Sequence, residues 1–155
     1  MKRLLPLGWA KENGSTQIEF ALITVLLVMV LLGLVEMSRM VLAYNAIADA
    51  AKAGARYAMV HGADRIGSGI DGPSSATSYS QIQTVAQNYA AAGLLNSSNV
   101  TVSVSYPNHT GSVPGNYPGD PVDVTVSYTY SPLIGYFSSI LNKTLSSTSE
   151  AIIAY

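Results

Sequence analysis

Hydrophobic positions follow three different spacings along this chain, and each spacing predicts a different element. From Phe20 to Val35 they are nearly continuous, sixteen residues with one hydroxyl, Thr24, and no charge. A helix of that composition is apolar all round, so no face of it can meet water. At 1.5 Å per residue it covers roughly 24 Å of a hydrocarbon core about 30 Å thick. Ile18 and the stretch from Met37 to Leu42 extend it, with Arg39 snorkelling toward the headgroups, so a membrane span over about 18–38 is predicted. Next comes an alanine-rich run with strong helix propensity, in which Met37, Met40, Tyr44, Ile47, Ala51, Gly54 and Ala58 recur at steps of three and four. No proline falls between Pro6 and Pro73, so one helix from about Thr16 to His61 is expected, its outer stripe facing a partner. Glu36 with Arg39, and Asp49 with Lys52, are spaced to pair along it.

Gly62 is placed to end that helix, and Ala63 to Ser78 reads as loop. Ser78 and Gln81 can open a short second helix whose apolar side is Ile82, Val85, Ala86 and Tyr89, closed by Gly93. The spacing then switches to two. Val100, Val102, Val104 and Tyr106 alternate with Thr101, Ser103 and Ser105, and Val122, Val124, Val126, Tyr128 and Tyr130 alternate with Asp123, Thr125, Ser127 and Thr129. A loop with four prolines separates these strands, Pro132 to Leu141 is a short helix or turn, and Thr144 to Tyr155 is a third strand. The expected fold is α+β: a long N-terminal helix and a second short helix covering the apolar face of a small antiparallel sheet. The domain division is 1–14 ahead of the helix, 15–61 for the helix, and 62–155 for a small outer domain.

Charge adds direction. Lys2, Arg3 and Lys11 precede the span against Glu12 alone, which places the N-terminus in the cytoplasm and the outer domain across the membrane. A cleaved signal peptide would require a small-x-small site after the apolar run, where Glu36, Met37, Ser38 and Arg39 stand instead; Ala46-Ile47-Ala48 fits but lies too far downstream. The formal charge of −1 gives no basic face for nucleic acid. Without cysteine there is neither a disulfide framework nor a thiolate metal site.

The most informative segment is Gly14-Ser15-Thr16-Gln17-Ile18-Glu19-Phe20, set directly before the apolar run. A glycine, four residues, then Glu and an aromatic at the membrane border resembles a type IV prepilin processing site. From Gly14 through Arg56-Tyr57, including Glu36, Arg39 and the alanine-rich run, the chain is similar to the TadE-like pseudopilins of tight-adherence pilus systems. That resemblance implies a leader of residues 1–14, cut between Gly14 and Ser15 by a prepilin peptidase, and an assembly or recognition role for Glu19 and Phe20. It also implies a bacterial inner-membrane location and three further partners: the major pilin, a second pseudopilin and the inner-membrane assembly platform of a secretion-like system.

Each of these residues has a plainer role available. Gly14 can be a turn residue, and Thr16 with Glu19 can form a capping box. Gly54, with Ala50 four residues before it, fits close helix packing on the sheet, and Lys52 and Arg56 fit a solvated face. No reaction is expected, and neither cofactor nor metal is called for. His61 and His109 sit at a helix end and in a proline-rich loop, no nucleophile occupies a recognisable elbow, and Asp120 with Asp123 lacks a glycine-punctuated cation loop. Asn96, Asn108 and Asn142 begin sequons that chance supplies in a Ser/Thr-rich chain. The competing expectation is an uncleaved signal-anchor protein whose outer domain binds a ligand; an anchored hydrolase is a third.

Overall fold

The computed structural model describes residues 12–61, 80–93, 95–108 and 118–154, with the side chains of residues 12 and 13 excepted. The expected Gly62 cap, the loop from Ala63 to Ser78, Ser78 of the second capping box, His109 and residues 1–11 lie outside them. The order is α1 (Glu12–Val60), α2 (Ser80–Ala92), β1 (Val100–Ser105), β2 (Pro121–Tyr130), α3 (Ser138–Leu141) and β3 (Lys143–Ile152), which gives the expected α+β class. The chain separates into two compact units, residues 1–38 and 39–155, so the C-terminal part of α1 belongs to the larger one.

In that larger unit the three strands form one antiparallel sheet in the order β1-β2-β3. Val102 pairs with Val126 and Val104 with Val124, and β2 continues without a bulge from Pro121↔Ile152 to Tyr130↔Lys143. Strict alternation puts every valine of β1 and β2 on one face, which is buried, while threonines, serines and Asp123 line the other. Ile47, Ala50, Ala51, Ala55 and Ala58 of α1, with Ile82, Ala86 and Ala90 of α2, complete the core above that face. Small residues let both helices come close. A Cβ on Gly54 would stand 3.0 Å from Val124 Cγ1 and 3.3 Å from Ala86 Cβ, which fits the packing role expected of it.

Two stripes differ from expectation. On α1 the stripe holds from Ile47 to Ala58, but Met37 and Tyr44 are exposed and Ala43 is buried instead. On α2 the buried line is Ile82, Ala86 and Ala90, and Tyr89 points outward. In both helices the closer approach selects alanine over the larger side chain one position away. Gly93 closes α2 as expected, its N–H donating to the Tyr89 and Ala90 carbonyls.

At Gly93 an added Cβ would lie 2.6 Å from Ala46 Cβ, a contact with no flexible atom to yield. Gly93→Ala is therefore expected to push α2 off α1 and to cost about 1–3 kcal/mol of stability, measured by urea unfolding of the detergent-extracted protein. Gly54→Ala, facing a valine methyl that can rotate, should cost less.

The far end of the sheet is tied to the end of α1. Ala154 N–H donates to the Met59 carbonyl (2.9 Å), and Gly119 N–H to the Ile153 carbonyl (2.8 Å) across a turn in which Gly119 has φ +94°. At the other end, the Arg39 guanidinium lies 5.8 Å from the centre of the Tyr130 ring. From Arg39 to Met59, α1 thus runs the length of β2 in the opposite direction.

Candidate functional site

The four residues singled out for processing and recognition, Gly14, Ser15, Glu19 and Phe20, all lie in the opening turns of α1. Gly14 and Ser15 fall in the first turn, whose N–H groups have no acceptor inside the helix. This turn is the cheapest part of α1 to unwind, so the Gly14–Ser15 bond can be presented extended at little cost. The plainer roles of two residues can be judged directly. Gly14 is not a turn residue, for it has helical backbone, and the one positive-φ glycine among the described residues is Gly119. A Cβ added to Gly14 meets nothing within 4 Å. The fold asks for no glycine there. Nor do Thr16 and Glu19 open the helix, because α1 starts at Glu12 and Thr16 already has its N–H within reach of an i−4 carbonyl. Thr16 thus lies inside α1 rather than at its N-cap, and the Glu19 carboxylate pairs with no cation among the described residues.

Phe20 begins the apolar segment. Fourteen large apolar side chains from Ile18 to Val35 are exposed, and the best eighteen-residue window has a mean hydropathy of 2.8 with none of it buried. Complete burial is worth about 1.5–3 kcal/mol for each such side chain. Left half-exposed to water, the set would forgo on the order of 10 kcal/mol or more, which is comparable to the whole stability of a small domain. The polar groups in this segment are satisfied within the helix, as a hydrocarbon surrounding requires: Thr24 Oγ1 donates to the Phe20 carbonyl and Ser38 Oγ to the Leu34 carbonyl, both at 2.8 Å. By length and composition, α1 can cross a membrane.

Glu36, which ends the uncharged run, is 1% exposed and has an interaction partner, as does Arg39. Its burial was not expected from the sequence. The signal available was its heptad relation to Ala43 and Ala50, which are also buried.

The polar residues weighed for other chemistry are dispersed. Asp120 accepts from Asn108 Nδ2 at 2.8 Å, while Asp123 sits on the solvent face of β2 opposite Glu150. Asn96 accepts from Ser98 N–H and caps a short 3-10 turn. His61 stacks on Tyr57 with ring centres 4.0 Å apart, its Nδ1 2.9 Å from the Tyr57 carbonyl. Lys52 and Arg56 are exposed, with Lys52 3.5 Å from Asp49 as its spacing predicts. They border an open groove of about 730 Å³ between α1 and α2 that also takes in Tyr57, His61 and Tyr89. No group of three or more His, Cys, Asp or Glu side chains among the described residues could hold a metal ion.

The described residues thus hold a small α+β unit and, ahead of it in the chain, an exposed apolar helical segment preceded by a glycine that the fold does not need. Residues 14–56 match the family model described as TadE-like protein. The match opens on Gly14, runs through the apolar segment and ends inside α1, so the TadE-like resemblance is shown for this part of the helix. Together with the apolar segment it points to a membrane-anchored protein related to tight-adherence pili. No curated protein and no solved structure gives a match.

Proposed function

We propose that the chain is a minor pilin of a tight-adherence pilus: anchored in the bacterial inner membrane by α1, cut after Gly14 by a prepilin peptidase, and used as an assembly subunit. The observation that carries this is the coincidence at Gly14, where the TadE-like match begins at a helical glycine for which the fold has no steric need. Glycine has a lower helix propensity than alanine, so the first turn of α1 gains nothing from it. A cleft in another protein that admits no side chain accounts for keeping it. Lys2, Arg3 and Lys11 put the cut on the cytoplasmic side and the larger unit on the other. In this reading the outer unit supplies packing surface to the major pilin, a second pseudopilin and the assembly platform, and no reaction is its own. N-terminal sequencing of membrane-extracted protein tests it: a start at Ser15 supports the pilin route, and an intact Met1 supports an uncleaved signal anchor. The groove between α1 and α2 would then be the first place to seek a ligand.

Cutting after Gly14 creates an ammonium at Ser15, at the positive end of the α1 dipole, where it is disfavoured. Glu19 stands one turn further on and can neutralise that ammonium on its own helix or on a neighbouring subunit. Glu19→Ala should therefore leave cleavage nearly intact while lowering pilus number strongly. The full-length chain loses no cap in this variant, so a folding defect is not expected to confuse the result. Immunoblots for the cleaved fraction, alongside filament counts, give the comparison, and normal piliation would remove Glu19 from assembly.

A further inference from the structure

We infer that residues 131–141, which join β2 to β3, form a second membrane contact that rests the outer unit on the lipid surface; this rests on the membrane-anchored reading of α1. Leu133, Tyr136, Phe137 and Ile140 recur at i, i+3, i+4 and i+7, the spacing of one helical face. A 3-10 turn over Gly135–Phe137 running into α3 carries Tyr136, Phe137 and Ile140 on one helical stretch, and Leu133 stands just ahead of it, before the extended Ile134. The face points outward. Leu133 is 81% exposed, Tyr136 68% and Ile140 65%, while Phe137, like Ile134 and Leu141, is half-buried. A globular domain normally shows the reverse. The Tyr136 and Phe137 rings brace each other edge to face at 5.4 Å, and Ser138 Oγ holds the turn through the Gly135 carbonyl at 2.7 Å, so the face is preformed.

Three features select lipid as its occupant. The segment hangs from the end of the sheet closed by the Tyr130↔Lys143 pair, the end marked by Arg39 over Tyr130. Arg39 is the first residue of this unit and follows the apolar run by four positions, so chain connectivity alone keeps this end near the bilayer. Leu42, also exposed, lies one turn further along α1. Charge is divided in the same sense: residues 131–149 contain no acid and one lysine, Lys143, while Asp120, Asp123 and Glu150 lie toward the opposite end of the sheet. Aromatic and aliphatic side chains with a flanking lysine are what the headgroup boundary of an anionic membrane accommodates.

The chain has no cysteine, so single substitutions label cleanly. Full-length protein carrying Leu133→Cys, Ile140→Cys, Ser103→Cys or Leu27→Cys, each with a small fluorophore, would be reconstituted in vesicles of zwitterionic and anionic phospholipid. Nitroxides on shallow acyl positions are expected to quench the labels at 133 and 140 several-fold more than the label at 103, with aqueous iodide giving the opposite order. Adding Ile140→Asp should release the label at 133 from lipid quenching while leaving the exposed polar face unaffected. Labels at 133 and 140 that stay open to iodide overturn the inference. So does protection from both quenchers, which would mean that protein covers the face. The label at 27 separates the two readings: failure of deep nitroxides to quench it removes the membrane anchor itself, whereas quenching at 27 without quenching at 133 and 140 removes the second contact alone.

Discussion

Gly14→Val is expected to arrest the chain at full length. Leader loss removes fourteen residues of a 155-residue, 16.3 kDa chain, about 1.5 kDa, so precursor and product separate by mass spectrometry of membrane extracts. The structure sharpens this test because it removes the usual objection that a glycine variant merely misfolds. Nothing lies within 4 Å of a Cβ at position 14, and the position is in the first turn of an exposed helix. Valine there costs a few tenths of a kcal/mol in propensity relative to other ordinary residues, and gains against glycine. Any loss of cleavage therefore has to arise in the protease cleft. Gly14→Ala extends the test, since it adds one methyl with no folding penalty, and should give partial cleavage. Normal trimming of Gly14→Val would remove the prepilin assignment.

What could be read from the sequence, and what could not, divides along a physical line. The span, the long helix and the two valine strands rest on patterns that persist over many residues, so single exceptions do not erase them. The inward side of β3 rests on Leu145, Ser147, Ser149 and Ala151, placed beneath the buried face of β2 by its register. Serine at half-covered edge positions carries no hydrophobic signal, so the strand could be expected but its face could not. The exchanges of Ala43 for Tyr44 and of Ala90 for Tyr89 have another origin. Close helix approach rewards the smallest side chain, and periodicity scored on hydrophobic size points to the neighbour. The three-residue spacing of Glu36 and Arg39 speaks only to a local pair along the helix; the burial of Glu36 is a property of packing. At the candidate site the motif was legible as a motif, but the two plain explanations for it, a turn at Gly14 and a cap at Thr16, could only be set aside once α1 was seen to start at Glu12.

The scaffold reading makes its strongest demand on the core. Val102, Val124 and Val126 are buried where β1 and β2 meet the helices, and Val124 also touches the space above Gly54. Each valine-to-alanine change there should cost roughly 1–3 kcal/mol through lost burial and the cavity left behind. In a unit with a total stability of about 5–15 kcal/mol, Val102→Ala with Val124→Ala can consume much of it. The double variant should lose cooperative unfolding, accumulate poorly and support little attachment. Polar variants of the same unit should behave differently. Asp120→Asn keeps an oxygen to accept from Asn108, and Asp123→Asn relieves a like-charge pairing across the strands with Glu150, so neither should lower stability. His61→Ala loses the stacking on Tyr57 and the Nδ1 contact with the Tyr57 carbonyl at the end of α1, and His109→Ala changes a residue outside the described ones. At matched protein levels these four should retain nearly full pilus-dependent attachment. If one of them abolishes attachment while the chain remains folded and cut at Gly14, packing surface is no longer a sufficient account, and that residue marks a binding or reacting site on the larger unit.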